Sequence, residues 1–181
     1  MIHRLDPGDA AIVAAMRAVP NPGKGVPIGI EARGQYDAVI GSVLARDEVK
    51  YKDGSCGGIA GLWVLPADWR PDEVVIHLHG GWFNFGSAAG YGHLVGHIAA
   101  RAKARTFIPD YRLAPEHPFP AAPEDVLACY RGLSELGVRK IALTGDSAGG
   151  NLALGLAARF ARDAPGANTM LVGAAVFSPR Y

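Results

Sequence analysis

From Asp9 to Val19, apolar residues recur at helical spacing (Ile12, Val13, Ala15, Met16, Val19), and Pro20-Asn21-Pro22-Gly23 then stops the pattern. The spacing predicts a short amphipathic helix. A second helical stretch is expected from Ile30 to Leu44, and Val49–Tyr51 and Ile59–Leu65 read as two strands around an Asp53-Gly54 turn. Beyond Pro71 the pattern sharpens. Val74–Leu78 is a short β-branched run, followed by a glycine-rich turn and a helical pattern through Leu94, Val95, Ile98 and Ala99. The unit recurs as Thr106–Pro109, a proline-rich loop and a helix near Pro123–Leu136. It recurs again as Lys140–Thr144, a glycine turn and a helix near Asn151–Ala161, and Met170–Ser178 is the last strand. Strands alternating with helices of this length predict an α/β fold of βαβ units, with a mostly parallel sheet covered by helices on both faces.

A chain of 181 residues is close to one domain of roughly 150. With 49% hydrophobic residues and 18 basic against 17 acidic side chains, it can bury a real core, which excludes disorder by composition. The net charge of +1, with no lysine or arginine run, gives nucleic acid or anionic membrane nothing to hold, so neither is expected as a partner. Cys56 and Cys129 have no metal-ligand spacing and are expected as free thiols in a reducing compartment. Asp6 and Pro7 interrupt any secretory signal. The apolar stretches Leu152–Ala158 and Met170–Phe177 fall short of the ~20 residues that span a bilayer. A soluble, cytoplasmic protein is expected.

Gly145-Asp146-Ser147-Ala148-Gly149-Gly150 places a G-x-S-x-G pattern directly between a predicted strand and a predicted helix. A nucleophilic serine must be raised above the sheet on a tight turn, and flanking glycines let neighbouring backbone approach. Ser147 is therefore the candidate nucleophile, with Gly145, Asp146 and Gly149 as its support. The helix beginning near Ala148 presents unsatisfied N–H groups where an oxyanion would develop. His79-Gly80-Gly81-Trp82 follows the strand Val74–Leu78, and Gly80, Gly81 and Trp82 are candidate backbone donors alongside Ala148. Loss of one such donor typically costs about 2.7–4 kcal/mol of transition-state stabilisation. His79 reads as a hydrogen-bonding strut for that loop rather than a base. Asp110, Arg112 and Glu116, in Asp110-Tyr111-Arg112-Leu113-Ala114-Pro115-Glu116, read as structural, pairing with one another or with backbone. His77, His93 and His97 lack the spacing of a zinc site, and no metal is expected.

These three motifs, in this order and each at a strand end, resemble the hormone-sensitive-lipase family of α/β-hydrolases, bacterial carboxylesterases carrying HGGG, DYRLAPE and GDSAGG. The resemblance covers about Val74 to Tyr181. It implies Ser147 as nucleophile, backbone donors from Ala148, Gly81 and the residue after it, a small-molecule ester substrate and no cofactor. Residues 1–45 resemble the family's helical cap, and 46–181 a partial hydrolase core. Trp82 stands where the family has its third glycine: a side chain there is strained if the site needs positive φ, and its indole narrows the acyl pocket.

The triad in this fold runs Ser, then acid, then His. Residues 148–181 contain one acid, Asp163, and no histidine. Asp163 stands about 24 Å along its helix from Ser147 and is no substitute. The expectation is a truncated hydrolase whose C-terminal strands, triad acid and histidine are absent, leaving Met170–Ser178 as an uncovered edge. Such an edge invites a homodimer or association with the missing C-terminal part. The rival expectation is a non-catalytic binding module, since plant gibberellin receptors resemble the family and lack the histidine.

Overall fold

The computed structural model describes residues 7–18, 29–163 and 169–179. Helix α1 (Pro7–Ala18) comes first, then a 3-10 turn at Ile30–Ala32 and helix α2 (Arg33–Ile40). The second helix is thus shorter than the expected Ile30–Leu44, ending at Gly41. Val19 and the Pro20–Gly23 stop lie outside the described residues. Strands β1 (Val49–Cys56), β2 (Ile59–Pro66) and β3 (Glu73–Leu78) lead to α3 (Ala88–Ala102). Then follow β4 (Arg105–Pro109), α4 (Ala121–Glu135), β5 (Lys140–Asp146), α5 (Ser147–Asp163) and β6 (Met170–Phe177).

The six strands form one sheet in the order β1-β2-β4-β3-β5-β6. The β4–β3, β3–β5 and β5–β6 pairs are parallel, and β1–β2 and β2–β4 are antiparallel. One expectation is corrected here. Asp53-Gly54 is no turn: the two residues pair with Leu62 and Gly61 inside the hairpin. The chain reverses instead at Gly57-Gly58, whose φ values of 58° and 79° suit a two-residue hairpin turn. Gly54 is needed for packing, because a Cβ there would sit 2.8 Å from the Trp63 ring.

Period-two alternation splits the core into two layers. Val74, Ile76 and Leu78 of β3 and Phe107 of β4 point to a cluster with Val126 and Leu133 of α4 and Leu152 and Leu156 of α5. Ile108, next to Phe107, joins the opposite cluster with Tyr91, Val95 and Ala99 of α3. The expected cover on both faces holds for the central strands. At β6, expected as an uncovered edge, Leu171 and Val176 pack on the first cluster while Met170, Val172 and Phe177 are exposed. No helix among the described residues is long and apolar enough to cross a membrane.

Candidate active site

Strand β5 ends at Asp146 and α5 starts at Ser147, so the serine stands at the bend itself. Its φ of 49° is left-handed, a conformation that costs an L-residue roughly 1–2 kcal/mol. Close backbone contact holds it there. A Cβ on Gly149 would overlap the Leu78 carbonyl and lie 2.5 Å from the His79 carbonyl oxygen. One on Gly145 would lie 2.6 Å from the Gly149 oxygen and 2.8 Å from that of Leu78. The bend is thus pressed against the end of β3, and only glycine fits at the two flanks. Ser147 is partly exposed at the C-terminal end of the parallel strands, and Ala148 behind it is buried. The first-turn N–H groups of α5 have no carbonyl of their own helix to bond.

Strand β3 runs into the glycine loop beside this bend. The Gly80 N–H donates to Asp146 Oδ1 at 2.9 Å and approaches the Tyr91 hydroxyl at 3.2 Å. This corrects the expectation that Gly80 supplies an oxyanion donor: its hydrogen is already engaged in tying the loop to the bend. The Gly81 carbonyl accepts from both Asn84 and Phe85 N–H at 2.9 Å, closing a tight turn in which Gly81 has φ 119°. Trp82 and Phe83 follow at φ 54° and 63°. Trp82 therefore does occupy a left-handed position where glycine would be less strained. The N–H groups of Gly81 and Trp82 have no acceptor among the described residues. The Trp82 indole is 55% exposed and meets Tyr36 and Phe85 edge-on, each at 6.4 Å between ring centroids.

A buried layer fixes both pieces. The Tyr91 hydroxyl donates to Asp146 Oδ2 at 3.1 Å and meets that of Tyr36 at 3.1 Å, which carries the network into α2. Desolvation raises the Asp146 pKa, with the Tyr91 and Gly80 hydrogen bonds pulling it back. His79 Nδ1 bonds the Gly80 carbonyl at 2.8 Å, and its ring stacks on Tyr111 at 4.3 Å. Tyr111 in turn donates to the His79 carbonyl at 2.7 Å. Burial pushes His79 down to about 4, so it is neutral near pH 7, a strut in the loop rather than a charged group. His77, bonded to Thr144 at 2.9 Å, is pushed down to about 3 for the same reason.

The acidic and basic residues of the 110–116 segment are structural: Asp110 bonds backbone, as expected, while Arg112 and Glu116 find carboxylate and guanidinium partners on other elements. Asp110 caps α3 by accepting from the Ala88 N–H at 2.6 Å. Arg112 does not pair with Asp110 or Glu116 but grips Asp125 on α4, at 2.7 Å for the shortest bond. Glu116 pairs with Arg33 through two bonds of 2.8 Å, which hold its carboxyl at about 2. Arg33 also donates to the Asn84 carbonyl at 2.7 Å, joining the start of α2 to the glycine loop. His93 and His97 bond the carbonyls of Val43 and Leu44, and no cluster fit for a metal exists among the described residues. Tyr91, Tyr36 and Arg33 carry no motif. In the sequence, Tyr91 is one more aromatic on an apolar helix face.

A serine at a strand-to-helix bend, facing a glycine turn on a mixed sheet, is the arrangement of the α/β-hydrolase family, to which the chain belongs: it matches that family over residues 75–181. Within it, the resemblance is to esterases of the hormone-sensitive-lipase type. The chain is 36% identical over 151 residues to the esterase LipI of Mycobacterium tuberculosis, covering 76% of this chain and 47% of that one. It superimposes on crystalline EstE5, an esterase, with a TM-score of 0.84 and 30% identity, covering 97% of this chain and 58% of EstE5. An esterase of the bacterial hormone-sensitive lipase family aligns with a TM-score of 0.78 and 31% identity, covering 98% and 59% of the two chains. The chain spans less than half the length of the curated relatives it matches.

Proposed function

We propose that this chain carries the nucleophile half of a carboxylic ester hydrolase. The observation that carries the reading is the left-handed Ser147 at the head of α5, beside a loop whose Gly81 and Trp82 N–H groups have no acceptor among the described residues. Ser147 Oγ attacks the acyl carbon and forms a tetrahedral oxyanion, which the amides of Gly81, Trp82 and Ala148 receive. The serine proton passes to a histidine outside residues 1–181, positioned by an acid also outside them, and then to the departing alcohol as the C–O bond breaks. Water hydrolyses the acyl-enzyme by the reverse relay. His79, Gly145, Asp146 and Gly149 hold this geometry and take no part in proton transfer, and Gly80 supports it through Asp146. No cofactor enters the scheme.

We infer a cap role for the 1–45 segment; what supports it among the described residues is Tyr36, whose ring meets that of Trp82 edge-on. The exposed apolar edge of β6 accepts either the remaining hydrolase strands or a second copy of the chain. We infer a cytoplasmic setting from Cys56 and Cys129, two buried free thiols. The competing reading is a non-catalytic binding member of the same fold, and the absence of histidine from residues 148–181 is common to both readings. The two separate on labelling of the natural-length protein with a fluorophosphonate. Labelling lost in Ser147→Ala establishes the activated serine, and a folded, unlabelled protein leaves only the binding module.

A further inference from the structure

Arg33 opens helix α2 and turns its whole guanidinium onto other parts of the molecule. Nε donates to the Asn84 carbonyl at 2.7 Å, Nη2 to the Ala114 carbonyl at 2.9 Å, and the two Nη atoms to the Glu116 carboxylate at 2.8 Å each. An ion pair with Glu116 needs neither carbonyl. One of them belongs to the glycine loop, two residues after Trp82.

In a trans peptide the C=O and the N–H point opposite ways, so a bond to one residue's carbonyl aims the N–H of the next. From Arg33 this gives a continuous line. The guanidinium holds the Asn84 carbonyl, whose peptide carries the Phe85 N–H. That N–H donates to the Gly81 carbonyl at 2.9 Å, and the Gly81 peptide carries the Trp82 N–H. A second line joins at the same carbonyl. The Ala114 N–H donates to the Phe83 carbonyl at 2.8 Å, whose peptide carries the Asn84 N–H, and this too donates to Gly81 at 2.9 Å. Arg33 grips Ala114 by its own carbonyl, so it steadies both lines. They end at the Trp82 N–H, which has no acceptor among the described residues. Bonds in such a chain polarise one another, and the first is charge-assisted.

We propose that Arg33 is a positioning residue for ester hydrolysis, aiming and polarising the Trp82 amide toward the oxyanion through two intervening peptide groups. This deepens the hydrolase reading and rests on it for the oxyanion. Negative charge develops at that amide only as the acyl carbon becomes tetrahedral, so the benefit falls on kcat rather than on KM.

The test is steady-state hydrolysis of p-nitrophenyl acetate by the natural-length protein. Arg33→Ala is expected to lower kcat about tenfold or more, with KM within about twofold of wild type. Millimolar methylguanidinium should restore most of the loss by entering the emptied, partly exposed site, where sodium chloride of equal ionic strength does not. Glu116→Gln leaves both carbonyl bonds in place and should keep kcat within about twofold. A folded Arg33→Ala with wild-type kcat, a change confined to KM, or an equal loss in Glu116→Gln overturns the proposal; the last assigns the effect to the ion pair. If Arg33→Ala does not fold, Arg33→Lys carries the test. Its compact ammonium still faces Glu116 but does not bridge the two carbonyls, so kcat should fall, and a wild-type kcat overturns the proposal. Fluorophosphonate labelling keeps the two readings apart. A labelled wild type whose Arg33 variants keep kcat loses the aiming role and keeps the nucleophile. An unlabelled, inactive wild type loses the hydrolase reading, and the role of Arg33 with it.

Discussion

The bend at residues 145–149 and the glycine loop at 79–86 both carry left-handed backbone, yet they are held in different ways. At the bend, two stretches of main chain touch, and glycine stands at both flanks because the Leu78 and Gly149 carbonyls leave no room for a Cβ. In the loop, hydrogen bonds add to such contacts: Gly80 to Asp146, and Asn84 and Phe85 to the Gly81 carbonyl. A Cβ would overlap the Phe85 carbonyl at Gly81 and lie 2.5 Å from His79 Nδ1 at Gly86, yet Trp82 and Phe83 between them carry side chains at left-handed φ for roughly 1–2 kcal/mol each. Close packing dictates glycine at particular positions of both regions, whereas the turn of the loop also holds two left-handed residues with full side chains.

Breaking the steric side of this contrast should have the largest effect. Gly149→Ala pushes a methyl group into the Leu78 carbonyl, and denaturant unfolding should show a loss beyond about 5 kcal/mol, near the whole stability of a small domain. Next is acid. His77 in β3 and His79 at the start of the loop are held down at about 3 and about 4 by burial, below the unfolded value near 6.5. Between these limits the unfolded chain binds protons that the folded one refuses, so stability falls as pH drops. Thermal unfolding at pH 7 and pH 5 should differ by about 2 kcal/mol for each histidine, with Asp146, whose folded pKa is raised, acting in the opposite sense at lower pH. A flat profile would mean that the two imidazoles are hydrated in the folded protein.

The hydrogen bonds behind the loop are tested by Tyr91→Phe, which takes one donor from Asp146 and leaves the Gly80 N–H held by Asp146 Oδ1 alone. It should cost about 1–3 kcal/mol by chemical denaturation. The smallest change is expected from Trp82→Gly. Relief of left-handed strain, about 1–2 kcal/mol, offsets aromatic contacts with Tyr36 and Phe85 worth about 0.5–1.5 kcal/mol, so the unfolding midpoint should scarcely move. A large loss would show that the indole, rather than the loop's own bonds, holds this turn.

The strand-to-helix bend was legible because its cause is local: a β-branched run, then small residues, then helical periodicity. The same logic misread Asp53-Gly54, where a glycine that makes room for Trp63 has the signature of a turn. It also counted Gly80 among the oxyanion donors, since a pattern shows that an amide exists but not where its hydrogen goes. Arg112 and Glu116 lie four residues apart, yet each pairs with a residue on another element.

Residue order along the chain determined which segments become strands and helices, and that a serine would stand between two of them, because backbone preference and apolar period act over a few neighbours. Only the folded arrangement decided the strand order, the link from Tyr36 through Tyr91 to Asp146, and the pairing of Arg33 with Glu116. Each of these joins residues far apart in the chain, and such contacts exist only after the sheet has brought its helices together.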